Sequence, residues 1–121
     1  MRKHKKFCII GTPVGHSKSP MLYRRIFDEH GFTNDTYTIN EITASEELDS
    51  FFSDMRSGVW DGCNITMPWK SAAVDFMDVL LDNASLTRSV NTVVRRCGVL
   101  CGDSTDGSGM CDAIISDTGI S

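Results

Sequence analysis

The sequence predicts an α/β layered domain, with a mostly parallel sheet flanked by helices and made mixed by a late hairpin. Three observations predict it. Short apolar or β-branched runs alternate with stretches whose apolar residues recur three and four apart. Glycine and proline punctuate the joins. At 121 residues the chain can bury one core but is too short for two, so it reads as a single domain over residues 1–121 with a basic tail at 1–6.

Taken in order, Phe7, Cys8, Ile9 and Ile10 form a first buried strand that Gly11, Pro13 and Gly15 turn into a loop. Ser19 as N-cap, Pro20 at the first helical position, a face of Leu22, Tyr23, Ile26 and Phe27, and Gly31 as a stop define a helix. Thr36, Tyr37, Thr38 and Ile39 give a second strand. Thr43 with Glu46 has capping-box spacing, and Leu48, Phe51, Phe52 and Met55 follow at i, i+3, i+4 and i+7 before Gly58. Val59, Trp60, Cys63 and Ile65 read as a strand leading to Pro68, the first residue of a helix carrying Trp69, Ala72, Ala73 and Phe76. A short helix over 82–88 comes next. The β-rich run 90–95, the break at Gly98 and the run 99–101 make a hairpin. Met110, Ala113 and Ile114 mark a last helix from near Gly107 to Gly119.

Composition is ordinary for a globular chain, 40% hydrophobic and 23% charged. A formal net charge of -4, with twelve basic against sixteen acidic residues, argues against nucleic-acid or general membrane binding and for a small-molecule partner. Five cysteines without a Cys-x-x-Cys pair suggest neither a disulfide framework nor a metal site, and read as reduced thiols of a cytoplasmic protein. The apolar run behind the basic N-terminus is too short for an export signal, and no membrane span is expected.

Ligands of such sheets sit outside the carboxyl ends of the strands, where three loops converge. In the stretch 64–70 (Asn-Ile-Thr-Met-Pro-Trp-Lys), Lys70 falls in the first turn of the expected helix, where the positive end of the dipole disfavours a further cation. That suits an amine that exchanges a proton, although a solvated lysine after a turn fits equally. The loop 11–19 departs from a Walker phosphate loop, because Gly15 is four residues after Gly11 and His16 follows it. It leaves a helix N-terminus with two hydroxyls, Ser17 and Ser19, suited to a carboxylate or to capping alone. In 102–107, Asp106 stands at the start of the last helix, either as its N-cap or as a partner that keeps Lys70 charged. Gly107-Ser108-Gly109 is not a dinucleotide fingerprint, since Asp112 replaces the third glycine. Asn91, like Asn64 and Thr66, is a polar residue at a strand end, either a local hydrogen-bonder or a ligand contact.

Four motifs in this order, Gly-x-Pro-x-x-His-Ser-x-Ser-Pro (11–20), Asn-Ile-Thr-Met-Pro-Trp-Lys (64–70), Val-Asn-Thr (90–92) and Gly-Asp-Ser-Thr-Asp-Gly (102–107), make the chain resemble the N-terminal substrate-binding domain of shikimate dehydrogenases. The resemblance implies NADPH-dependent reduction of 3-dehydroshikimate to shikimate, on the route to aromatic amino acids. It implies a substrate carboxylate at Ser17 and Ser19, ring hydroxyls at Thr66 and Asn91 beside Asn64, and Lys70 with Asp106 as the proton-handling pair. Ser104 departs from the family's usual asparagine. It further implies a Rossmann-like domain for NADP, of about 100–150 residues, whose glycine-rich turn does not occur here. The expectation is therefore a substrate-binding half that binds shikimate but no NADP, turns over little or not at all, and self-associates where the nucleotide domain would dock. A quinate/shikimate dehydrogenase domain and a stand-alone, non-catalytic binding or assembly module are the alternatives.

Overall fold

The structure, a computed structural model, describes residues 4–15 and 17–105. The expected last helix, Asp106, His16 and Cys111 lie outside the described residues. Six strands and three α-helices run in the order β1 (Lys6–Gly11), α1 (Ser19–Glu29), β2 (Thr36–Glu41), α2 (Glu46–Ser57), β3 (Gly62–Ile65), a 3-10 helix (Ala72–Phe76), β4 (Val79–Leu80), α3 (Asp82–Thr87), β5 (Thr92–Arg96) and β6 (Val99–Asp103). The strands form one sheet in the order β2-β1-β3-β5-β6-β4. β1 pairs in parallel with β2 and β3, and β4 with β6, while β5 runs antiparallel to both its neighbours. The sheet is thus mixed and mostly parallel, as the sequence predicts.

Period-two alternation along β1 sends its side chains to two cores. Phe7 and Ile9 pack with Tyr23 and Phe27 of α1 and with Tyr37 on one face. Cys8 and Ile10 face Leu48, Phe52 and Met55 of α2, together with Ala73 and Val74 of the 3-10 helix, on the other. A strand covered on both faces must be apolar throughout, which explains the run Phe-Cys-Ile-Ile. The central helix keeps its sequence-predicted face of Leu48, Phe51, Phe52 and Met55, all buried, and stops at Gly58 in the left-handed conformation. The hairpin closes through Cys97 and Gly98, both at positive φ, the requirement of a tight two-residue turn between twisted strands.

Several boundaries differ from the sequence expectation. The N-cap of α1 is Lys18 rather than Ser19, and it is the Ser17 hydroxyl that accepts the Ser19 N–H, at 3.1 Å. Leu22 is 55% exposed and so leaves the apolar face to Tyr23, Ile26 and Phe27. Thr43 forms no capping box with Glu46; its hydroxyl bonds the Glu47 carboxylate instead, because the helix starts at Glu46 and the N-cap is Ser45. β3 begins only at Gly62, so Val59 and Trp60 lie before it. The two-residue edge strand β4 is too short to leave a periodic signal. Lys6 belongs to β1, and the Lys5 N–H donates to the buried Asp35 carboxylate at 3.0 Å.

Cys8 and Cys63 stand opposite each other on β1 and β3, fully buried, and together with Cys97 and Cys101 they are free thiols. Burial pushes both buried thiols up, and for Cys63 the neighbouring Cys8 adds to the effect. The folded state thus keeps two protons that the unfolded chain loses, so stability is full below the unfolded thiol pKa of about 8.5 and falls as pH rises above it. Urea midpoints are expected to be lower at about pH 10 than at about pH 7, with the difference shrinking when Cys8 and Cys63 are both replaced by alanine. Native alkylation is expected to label the exposed Cys97 and spare the buried pair.

Candidate functional site

The carboxyl ends of β1, β2 and β3 are drawn together by loop hydrogen bonds. The Ile42 N–H donates to the Gly11 carbonyl and the Thr12 N–H to the Met67 carbonyl, each at 3.0 Å. The Trp69 indole N–H donates to the Ile42 carbonyl at 2.7 Å. Trp69 is therefore an anchor that holds the segment after β3 against the end of β2, and its ring packs on the main core. Both prolines of these loops, Pro13 and Pro68, follow cis peptides. Gly11 permits the approach: a Cβ there would stand 2.3 Å from Thr66 Cγ2 and 2.8 Å from the Met67 carbonyl oxygen. Gly11→Ala is expected to destabilise the domain by about 1–3 kcal/mol through overpacking, read as a lower urea midpoint, and to separate the two loops.

Two adjoining cavities open at this edge. One, of about 330 Å³, is lined by Asn64, Thr66, Lys70, Asn91, Thr92 and Thr105 together with Ile65. The other, of about 300 Å³, is lined by Ile9, Pro13, Val14, Ser17 and Thr66. Thr66 belongs to both. Of the residues singled out in the sequence, Asn64, Thr66, Lys70 and Asn91 share the first cavity, and Ser17 lines the second. Ser19 lines neither and stands near the Tyr37 phenol. Asp106, the expected partner of Lys70, lies outside the described residues.

Lys70 is not in the first turn of a helix. It belongs to a turn, and the helix that follows is a five-residue 3-10 segment starting at Ala72. The dipole argument for this lysine falls with that placement, because the field of a helix end needs a run of aligned peptides behind it. What positions Lys70 is its own backbone carbonyl, which accepts the Val90 N–H at 2.9 Å and fixes the turn against the segment leading into β5. Its half-buried side chain lines the polar cavity.

The floor of that cavity is a polar network that sequence reasoning found only in part. The Tyr37 hydroxyl donates to Asn64 Oδ1 at 2.7 Å. Asn64 Nδ2 donates to the Thr92 hydroxyl at 3.3 Å and to the Asn91 carbonyl at 3.4 Å. The Thr92 hydroxyl donates to Asn91 Oδ1 at 3.0 Å. Asn91 then holds Thr105 with both ends of its amide, Oδ1 accepting the Thr105 N–H at 2.9 Å and Nδ2 donating to the Thr105 carbonyl at 2.5 Å. Tyr37 and Thr92 were missed because tyrosine and threonine in such runs read as strand formers, and Thr105 because Asp106 carried the reading of its loop. Burial, and then the neighbouring Tyr23, push the Tyr37 phenol far above its usual range, so it remains a donor. Tyr23 stacks on it at 4.4 Å between ring centroids.

A pyrophosphate-binding glycine turn needs open space over its backbone, whereas the face of Gly11 is filled by the Thr66 methyl and the Met67 carbonyl. Among the described residues, no group of three or more His, Cys, Asp or Glu could hold a metal, and no helix is long and apolar enough to cross a membrane. What the site offers is one ammonium, several amides and hydroxyls, and room for a small polyhydroxylated molecule.

Fold and cavity together define an α/β domain whose cavities open outside the carboxyl ends of parallel strands, the place where such sheets hold ligands. Residues 9–93 match the model of the shikimate dehydrogenase substrate binding domain, and the chain belongs to that family. It is 36% identical over 110 residues to the shikimate dehydrogenase (NADP(+)) of an Exiguobacterium species, covering 91% of this chain and 41% of the relative. The crystal structure of shikimate 5-dehydrogenase from Listeria monocytogenes in complex with shikimate and NAD superposes with a TM-score of 0.79 at 33% identity, covering 93% of this chain and 38% of that one. The shikimate 5-dehydrogenase of Thermus thermophilus in complex with shikimate gives 0.78 at 30% identity, covering 93% and 42%. The chain thus spans about two fifths of the length of the curated relatives it matches.

Proposed function

We propose that this chain is the substrate-binding half of an NADP-dependent shikimate dehydrogenase, which reduces 3-dehydroshikimate to shikimate. The observation that carries the reading is the convergence of Asn64, Thr66, Lys70 and Asn91 on one polar cavity, beside a second cavity that holds Ser17. The Lys70 ammonium is the group to hold the reacting oxygen and pass it a proton, with Asp106 as its partner. The Thr66 hydroxyl, common to both cavities, suits a ring hydroxyl between the two ends of the substrate. Ser17 and Ser19 receive the carboxylate. Asn64 and Asn91 act less as direct ligands than as the scaffold of the pocket floor, since their amides are already bonded to protein.

The described residues supply binding and proton handling, and a hydride donor has to be held elsewhere. Alone, the chain is expected to bind substrate with little or no turnover. Free thiols support a cytoplasmic setting. Thermal unfolding with added shikimate tests the reading, because a ligand that binds only the folded state raises the midpoint in a saturable way. A rise with shikimate that exceeds the rise with quinate at equal concentration is the expected result. An unchanged midpoint at high millimolar shikimate would contradict the proposal, and a larger rise with quinate would move it to a quinate-preferring enzyme.

A further inference from the structure

The hydrogen bonds under the polar cavity are ordered from the Thr105 end. The Thr105 peptide presents one donor and one acceptor, so Asn91 Oδ1 takes its N–H while Nδ2 donates to its carbonyl. The Thr92 hydroxyl therefore donates to Asn91 Oδ1, and its oxygen accepts from Asn64 Nδ2. Asn64 Oδ1 is left to accept from the Tyr37 hydroxyl. Reversing the Asn91 amide would set donor against donor and acceptor against acceptor at Thr105. Thr92 is the link with no slack: it is 3% exposed, and its hydroxyl touches both asparagine side chains.

We infer that Thr92 is a positioning residue: its hydroxyl braces the Asn91 side chain, which in turn clamps the Thr105 peptide, the neighbour of Asp106 in the chain. The catalytic meaning of this clamp rests on the proposed function, because it matters for chemistry only if the residue after Thr105 works with Lys70. Its mechanical content does not. Thr92→Val keeps the shape and removes the hydroxyl, leaving the Asn91 side chain held by the Thr105 peptide alone. Thr92→Ser keeps the hydroxyl. Tyr37→Phe removes the donor to Asn64 Oδ1, at the far end of the network from Thr105.

The test is amide hydrogen exchange on the 121-residue chain by NMR, with shikimate titration of the same samples. In Thr92→Val, exchange at the Thr105 amide is expected to quicken by about tenfold, the equivalent of one lost hydrogen bond, while Cys8 in the core strand keeps its rate. Thr92→Ser is expected to restore the original rate, and Tyr37→Phe to give an intermediate one. Shikimate affinity is expected to fall by about tenfold in the valine variant and to return in the serine variant. Unchanged Thr105 exchange in Thr92→Val, or a uniform quickening across all amides, would overturn the clamp. A local loosening at Thr105 with shikimate affinity untouched would overturn its role in the site. Failure of the original chain to bind shikimate at all, with the Thr105 response intact, would instead remove the proposed function and leave the clamp standing.

Discussion

Phe52→Ala is expected to lower the unfolding free energy by about 3–5 kcal/mol, enough to remove most of the stability of a domain of this size. Phe52 is 1% exposed. Its ring meets Phe51 edge-on at 5.1 Å and stacks on Phe76 at 5.0 Å, so one side chain joins α2 to the 3-10 helix that follows Lys70. The loss therefore combines the transfer of a large apolar group with a cavity that the rigid sheet behind it cannot close. Urea unfolding should show a much lower midpoint, and Phe51→Ala, at a 5% exposed position in the same cluster, should behave similarly. A midpoint shift worth under about 1 kcal/mol would mean that the two elements are held together by something other than this cluster.

Lys70→Ala should do the opposite, sparing the fold and removing the function. The side chain is half-buried at the cavity wall, and the structural contact of this residue is made by its backbone carbonyl, which alanine retains. The urea midpoint is thus expected to stay close to that of the original chain. Shikimate affinity should fall, since a charge-assisted hydrogen bond to a hydroxyl or ketone oxygen is lost. In a protein that also carries a cofactor-binding domain, turnover should fall by about 10²–10⁴-fold, the usual contribution of a positioned proton donor. Lys70→Arg should not restore it, because a planar guanidinium does not release its proton in this range. Full turnover in Lys70→Ala would remove the lysine from the mechanism.

How far the sequence could be read depended on the kind of interaction that fixes each element. The helix α2 and the first strand were legible because burial imposes a period, and the hairpin because a turn at positive φ favours the Gly98 that breaks a β-branched run from an apolar one. Lys70 was misplaced because Pro68 followed by apolar residues at helical spacing looks like a helix start. What governs that segment is long-range: the Trp69 indole bonds a carbonyl 27 residues earlier, and the chain turns through Lys70 before the short helix begins. Ser19 was likewise assigned the N-cap position that Lys18 holds, while the hydroxyl that bonds the first helical N–H is that of Ser17, and two serines two apart offer the same local signal.

The candidate residues were legible as types and as strand-end positions, and four of them do share one cavity. Their division of labour was not. Whether Asn91 faces a ligand or a backbone depends on Thr105, fourteen residues away, and the pairing of Asn64 with Tyr37 depends on strand order. No spacing rule reports such partners. Thr92 and Tyr37 became visible only when β2, β1, β3 and β5 were set side by side.

The most direct test of the account is an NMR titration of this chain with shikimate, following the backbone amides of Ser17, Thr66 and Lys70. These three stand on two loops and between them line both cavities. The account predicts that their signals move together along a single saturable curve, while surface amides such as that of Cys97 on the hairpin turn stay in place, and that Lys70→Ala weakens the curve without altering the spectrum of the core. Shifts confined to other surfaces, or none at high millimolar shikimate, would contradict it.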